Sequence, residues 1–108
     1  ALESVFGNLI INAINYTQDG GRIEVKTDMA GINLRVRVVD NGFGIEARYL
    51  DKIFDRFFRV KNDKTRYITG TGLGLPIVKG LVEALNGRIS VESEPDEGTT
   101  FTVLLPVA

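Results

Sequence analysis

The sequence predicts an α/β two-layer sandwich, a mixed, mostly antiparallel sheet packed on helices. Two observations lead there. Stretches 2–17 and 74–86 carry apolar residues at helical spacing. Stretches 22–28, 33–39, 88–94 and 99–105 alternate apolar and polar residues, with short turns joining them in pairs. At 108 residues one domain spanning 1–108 is expected. The 44% hydrophobic content suits one layered core. The opening at Ala1-Leu2-Glu3 already reads as helix, so the chain is expected to be a fragment lacking N-terminal elements, a preceding strand among them.

The elements follow in order. In 2–17, Leu2, Val5, Phe6, Leu9, Ala13 and Ile14 are expected on one broad face, with Asn8, Asn12 and Asn15 opposite. Asp19-Gly20-Gly21 stops that helix. Ile23 and Val25 alternate with Glu24 and Lys26, and Leu34, Val36 and Val38 with Arg35 and Arg37, around a turn near Ala30-Gly31. A short polar helix is expected at 46–51. Residues 57–72 show no period and read as a long, mobile loop carrying Arg59, Lys61, Lys64 and Arg66. In the second helix, Pro76 suits the first turn and Gly87 the C-terminal cap. The last two strands meet at Pro95-Asp96-Glu97-Gly98.

Composition narrows the function. Net charge is −1, which gives no electrostatic footprint for nucleic acid. Cysteine is absent, which removes disulfides and thiolate metal sites. Histidine is absent as well, and with it the commonest general base, metal ligand and phosphohistidine acceptor. No apolar run approaches a membrane span, and no signal-peptide pattern is present.

Three features carry chemistry. Asparagine is a poor helix former, yet three share one helix face. Their amide oxygens are hard, neutral ligands suited to Mg²⁺; a solvated face with incidental asparagines is the plain alternative. Asp40-Asn41-Gly42-Phe43-Gly44 follows a strand. Asp40 there would point into a pocket and need a donor, such as the exocyclic amine of a base, while the glycines let a ligand lie against the turn. An ordinary Asp-Asn-Gly turn explains the same letters. Gly70-Thr71-Gly72-Leu73-Gly74 opens a helix, where free N–H groups favour an anion. No Gly-Lys-Ser/Thr phosphate loop is present.

Taken together, the asparagine helix, Asp-x-Gly-x-Gly, the Phe54-Asp55-Arg56-Phe57-Phe58-Arg59 box, Gly-x-Gly-x-Gly and Gly98-Thr99-Thr100-Phe101 form a recognisable order. From Asn8 to Pro106 the chain resembles the ATP-binding catalytic domain of sensor histidine kinases, within the wider group of gyrase, Hsp90 and MutL ATPases. Gly87-Arg88-Ile89 and Ser93-Glu94 are typical of it too.

The resemblance implies a Bergerat-type ATP-binding fold that takes ATP and Mg²⁺. Asn12 would hold the metal, with Asn8 beside it. Tyr16 would pack by the adenine, and Asn15 stands where relatives usually carry a lysine contacting phosphate. Asp40 would accept from the adenine amino group, with Gly42, Gly44 and Ile45 forming the adenine wall. Phe54, Phe57 and Phe58 match the F box, and Arg59 its basic position. Gly70, Thr71, Gly72, Leu73 and Gly74 would meet the triphosphate beneath a lid from about Arg59 to Gly72. Leu75 would close the adenine pocket, and Thr100 would support the aspartate.

The implied reaction moves the γ-phosphoryl group to a histidine on a separate dimerisation and phosphotransfer domain of the same full-length protein, with a response regulator downstream. The domain is expected to be cytoplasmic, with no nucleic-acid or direct membrane contact, although the full-length protein can be membrane-anchored. A gyrase- or Hsp90-type ATPase is a competing reading, but there the first helix supplies a glutamate base where this chain has Asn8. A non-catalytic nucleotide-sensing module is another, encouraged by Asn15. An anti-sigma serine kinase shares the fold but not the F box.

Overall fold

A computed structural model describes residues 2–58 and 74–107. Helix α1 is Leu2–Asn15, followed by strands β1 (Ile23–Ala30) and β2 (Asn33–Asp40). A short 3-10 turn at Ala47–Tyr49 precedes helix α2 (Gly74–Ala84), and strands β3 (Arg88–Glu94) and β4 (Gly98–Pro106) complete the order. The strands form one sheet in the order β1-β2-β4-β3, and every described pairing is antiparallel. Both helices lie on one face of it, which is the two-layer sandwich predicted.

Alternation decides which side chains meet the helices. Val36 and Val38 of β2, with Phe101, Val103 and Leu105 of β4, face the core. Val5, Leu9 and Ala13 of α1 and Val78 and Val82 of α2 close over them, and Ile53 joins from the connecting segment. The Phe54 ring meets Phe101 edge-on, at 6.3 Å between centroids. The opposite sheet face carries Asp28, Arg35 and Arg37, where Asp28 pairs with Arg35 through two hydrogen bonds.

Several boundaries and faces differ from expectation, each for a local reason. Helix α1 stops at Asn15; Tyr16 N–H still donates to Asn12 O at 3.1 Å, and the chain then turns through Gly20 in the left-handed region. The buried stripe of α1 is the narrow i, i+4, i+8 set of Val5, Leu9 and Ala13. Ile14 lies 57% exposed, because it sits about 100° around the helix from Ala13. Leu2, in the open first turn, is exposed as well. The β1–β2 hairpin is longer than expected: Ala30 pairs with Asn33, and Gly31 at φ 64° with Ile32 makes the turn.

Helix α2 stops at Ala84, two residues early, and its left-handed residue is Asn86 at φ 61°, not Gly87. Gly87 N–H reaches back to Val82 O and Asn86 N–H to Glu83 O, a Schellman-type end. Gly87 is bare for another reason. A side chain there would lie 2.5 Å from Leu104 O.

Candidate functional site

The site is built where β2 ends, against the end of α1. Asp40 is the last residue of β2 and shares the core-facing row of Val36 and Val38, so its carboxylate points inward and is only 8% exposed. Gly42 N–H donates to Asp40 Oδ1 at 2.9 Å, and the backbone N–H of Thr99 is a second donor. Burial nonetheless dominates and pushes the Asp40 carboxyl above the ordinary carboxylate range.

The loop after Asp40 is fixed from three sides. Phe43 N–H donates to Tyr16 O at the end of α1, and Asn41 Oδ1 accepts from Arg22 N–H. Asp96 N–H donates to Phe43 O, and Ile45 N–H donates to Ser93 Oγ at 2.7 Å. This explains the glycines differently from the sequence. A side chain at Gly42 would overlap Tyr16 O, and one at Gly44, which has φ 71°, would overlap Glu94 O. The room these glycines leave is taken by neighbouring backbone, so their first task is to let three segments converge.

The asparagines also sit differently from expectation. Residues three and four apart share a helix edge, so Asn8 and Asn12 border the buried stripe of α1 instead of opposing it. Both are half-buried and Asn15 is exposed. Asn8 Nδ2 donates to Ser4 O at 2.7 Å, one turn back, which leaves Oδ1 as the outward acceptor. That oxygen faces the start of α2: a methyl group added at Gly74 would lie 3.5 Å from it. A hard, neutral oxygen beside a helix N-terminus fits Mg²⁺ held between protein and phosphate. Among the described residues no three His, Cys, Asp or Glu side chains gather as a metal cage.

Ile45, Phe54 and Leu75 are half-buried and pack against the core. Tyr16 is half-buried where α1 meets the loop. Phe57 is 69% exposed, at φ 64°. Arg59, Gly70, Thr71, Gly72 and Leu73 lie outside the described residues.

One expected site residue is on the wrong side of the sheet. Asp40 pairs with Thr99, whereas Thr100 pairs with Val39 and Glu92 and faces away from the helices. Thr99 is 6% exposed and is the threonine that meets Asp40. Its Oγ1 lies 2.8 Å from Ser93 Oγ, which also donates to Gly98 O at 2.9 Å. The sequence held the signal. Phe101 must face the core, so Thr99, two residues earlier on the same strand, must face it too. By the same parity Ser93 follows Ile89 and Val91.

The comparisons agree with this geometry. The sequence pattern of the family described as histidine kinase-, DNA gyrase B- and HSP90-like ATPase matches residues 1–108. The chain is 46% identical over 107 residues to the sensor protein kinase WalK of Staphylococcus saprophyticus, covering 97% of this chain and 18% of that protein. Against a WalK of Staphylococcus aureus the identity is 45%, covering 26% of that protein. The chain therefore spans a minor part of the curated relatives it matches. Among solved structures, a mycobacterial sensor histidine kinase, MprB, superimposes with a TM-score of 0.86 at 30% identity, over 97% of this chain and 71% of that one. The catalytic domain of the histidine kinase ThkA gives 0.80 at 32% identity, over 97% and 65%. A full-length ShkA in complex with AMPPNP gives 0.84 at 30% identity, over 99% and 21%. The chain thus belongs to the family of histidine kinase-, DNA gyrase B- and HSP90-like ATPases, as an ATPase-like domain of the sensor histidine kinase kind.

Proposed function

We propose that this domain binds Mg–ATP and presents its γ-phosphoryl group to a histidine on a separate dimerising helical domain of the same protein, from which a response regulator is then served. The observation that carries the reading is Asp40. A carboxylate this buried, at a strand end and outside any ion pair among the described residues, is costly unless something donates to it. Two backbone N–H groups meet part of its capacity. The 6-amino group of adenine is suited to the rest.

In this reading Asp40 fixes the base, Tyr16, Ile45, Phe54 and Leu75 line its apolar faces, and Thr99 supports the carboxylate in the role expected of Thr100. Asn8 and Asn12 present neutral oxygens where the triphosphate passes toward the start of α2 at Gly74, with Asn15 farther out. Mg²⁺ bound there would neutralise phosphate charge. Arg59 and the Gly70, Thr71, Gly72 and Leu73 run are assigned to the phosphates by resemblance alone. The protein's contribution to transfer is positioning and electrostatics. The acceptor must come from elsewhere, since this chain contains no histidine.

Isothermal titration of ATP into the chain, with and without Mg²⁺, tests the reading. Saturable binding that strengthens with Mg²⁺ is expected; absence of binding overturns it and leaves an interaction module. Rapid hydrolysis without an acceptor would favour the ATPase alternative, which the amide of Asn8, a poor base, disfavours.

A further inference from the structure

Ser93 stands out because it interrupts an apolar row. Ile89 and Val91 face the helix layer, and Ser93 continues that face with a hydroxyl. The hydroxyl is fully engaged. Its oxygen accepts from Ile45 N–H at 2.7 Å, and its one proton goes to Gly98 O at 2.9 Å. The remaining contact, 2.8 Å to Thr99 Oγ1, is then Thr99 donating to Ser93. One oxygen thus joins the end of the Asp40 loop to the strand residue whose backbone N–H holds the Asp40 carboxylate.

We propose that Ser93 is a positioning residue for base recognition: its hydroxyl locks Ile45 and Thr99 together and so aims the Asp40 carboxylate at the base. This rests on the ATP reading above. It is distinct from holding the loop in place at large, because Phe43 keeps its own bonds to Tyr16 O and from Asp96 N–H when Ser93 is removed. Without the hydroxyl, Ile45 N–H loses its acceptor and the Thr99 proton is free to turn. The backbone donors of Gly42 and Thr99 still reach Asp40, but the loop and the strand that carry them are no longer tied to each other, so the carboxylate is aimed less firmly while the loop stays attached.

The test compares ATP with inosine triphosphate, which carries oxygen in place of the 6-amino group, in titrations of wild type, Ser93→Ala and Ser93→Thr. Ser93→Ala is expected to weaken ATP about 10-fold and inosine triphosphate by no more than about 2-fold, so the preference collapses. Ser93→Thr keeps the hydroxyl and restores the preference. A merely structural role lowers the melting temperature and both affinities in parallel; that result, or an unchanged preference, overturns the proposal. Should Ser93→Ala not fold, Thr99→Val serves, since it removes the other hydroxyl at constant shape. It too must reduce the preference, and if it does not the proposal falls. A wild-type chain that binds neither nucleotide overturns the ATP reading itself, whereas a wild-type preference that survives these substitutions overturns the Ser93 role alone.

Discussion

At the scale of single residues, Asp40 sets function against stability. Its folded-state carboxyl titrates above the ordinary value of 3.8, because burial outweighs the donors at Gly42 and Thr99. The folded protein therefore holds that proton more tightly than the unfolded chain does. Its contribution to stability is fully present below 3.8 and declines as pH rises through the raised folded value. Asp40→Asn removes the charge. The apo variant is expected to melt higher than wild type at neutral pH, with the gain vanishing below about pH 3.8, as thermal melts across pH will read. The same variant should bind ATP roughly 10- to 100-fold more weakly, since an amide replaces a charged acceptor. Gly44 is the opposite case, a residue whose identity serves the fold. At φ 71°, with Glu94 O against its bare face, Gly44→Ala should cost roughly 1–3 kcal/mol in denaturant unfolding.

At the scale of elements, the ends were harder to read than the bodies. Periods of 3.6 and 2 located both helices and all four described strands, because those repeats are fixed by backbone geometry. Where α2 stops depends on which residue turns left-handed, and an Asn-Gly pair offers two choices. The bonds from Asn86 and Gly87 back to Glu83 and Val82 resolve it. Asn86→Gly should stabilise the domain by about 0.5 kcal/mol, by relieving a left-handed residue that carries a side chain. Gly87→Ala should destabilise it, since its new methyl meets Leu104 O on β4. Paired urea melts of the two variants would show opposite signs; equal signs would refute this assignment of the helix end. The misplacement of Thr100 has the same origin. Alternation gives two faces, and only the anchoring of Phe101 in the core tells which is inward.

At the scale of the whole molecule, the site is a convergence of segments far apart in the chain. The end of α1, the loop after β2 and the β3–β4 hairpin meet beside Asp40, and the start of α2 lies against Asn8 of α1. The sequence showed these as separate motifs in a familiar order, while the contacts that join them, Ser93 to Ile45 and Gly42 against Tyr16 O, depend on tertiary approach. A ligand gripping all four segments would bind the folded chain and not the unfolded one. Its binding then adds to global stability by mass action, about 2.7 kcal/mol at one hundred times the dissociation constant. For a domain of this size that corresponds to roughly 10 °C or more in melting temperature. Saturating Mg–ATP should produce a rise of that order, and chelating the Mg²⁺ should remove much of it. In Asp40→Asn the rise at a fixed ATP concentration should be much smaller, although that variant begins from a higher apo melting temperature. A full ATP-induced rise in Asp40→Asn would mean that the nucleotide is held without the buried carboxylate, and that the base sits elsewhere.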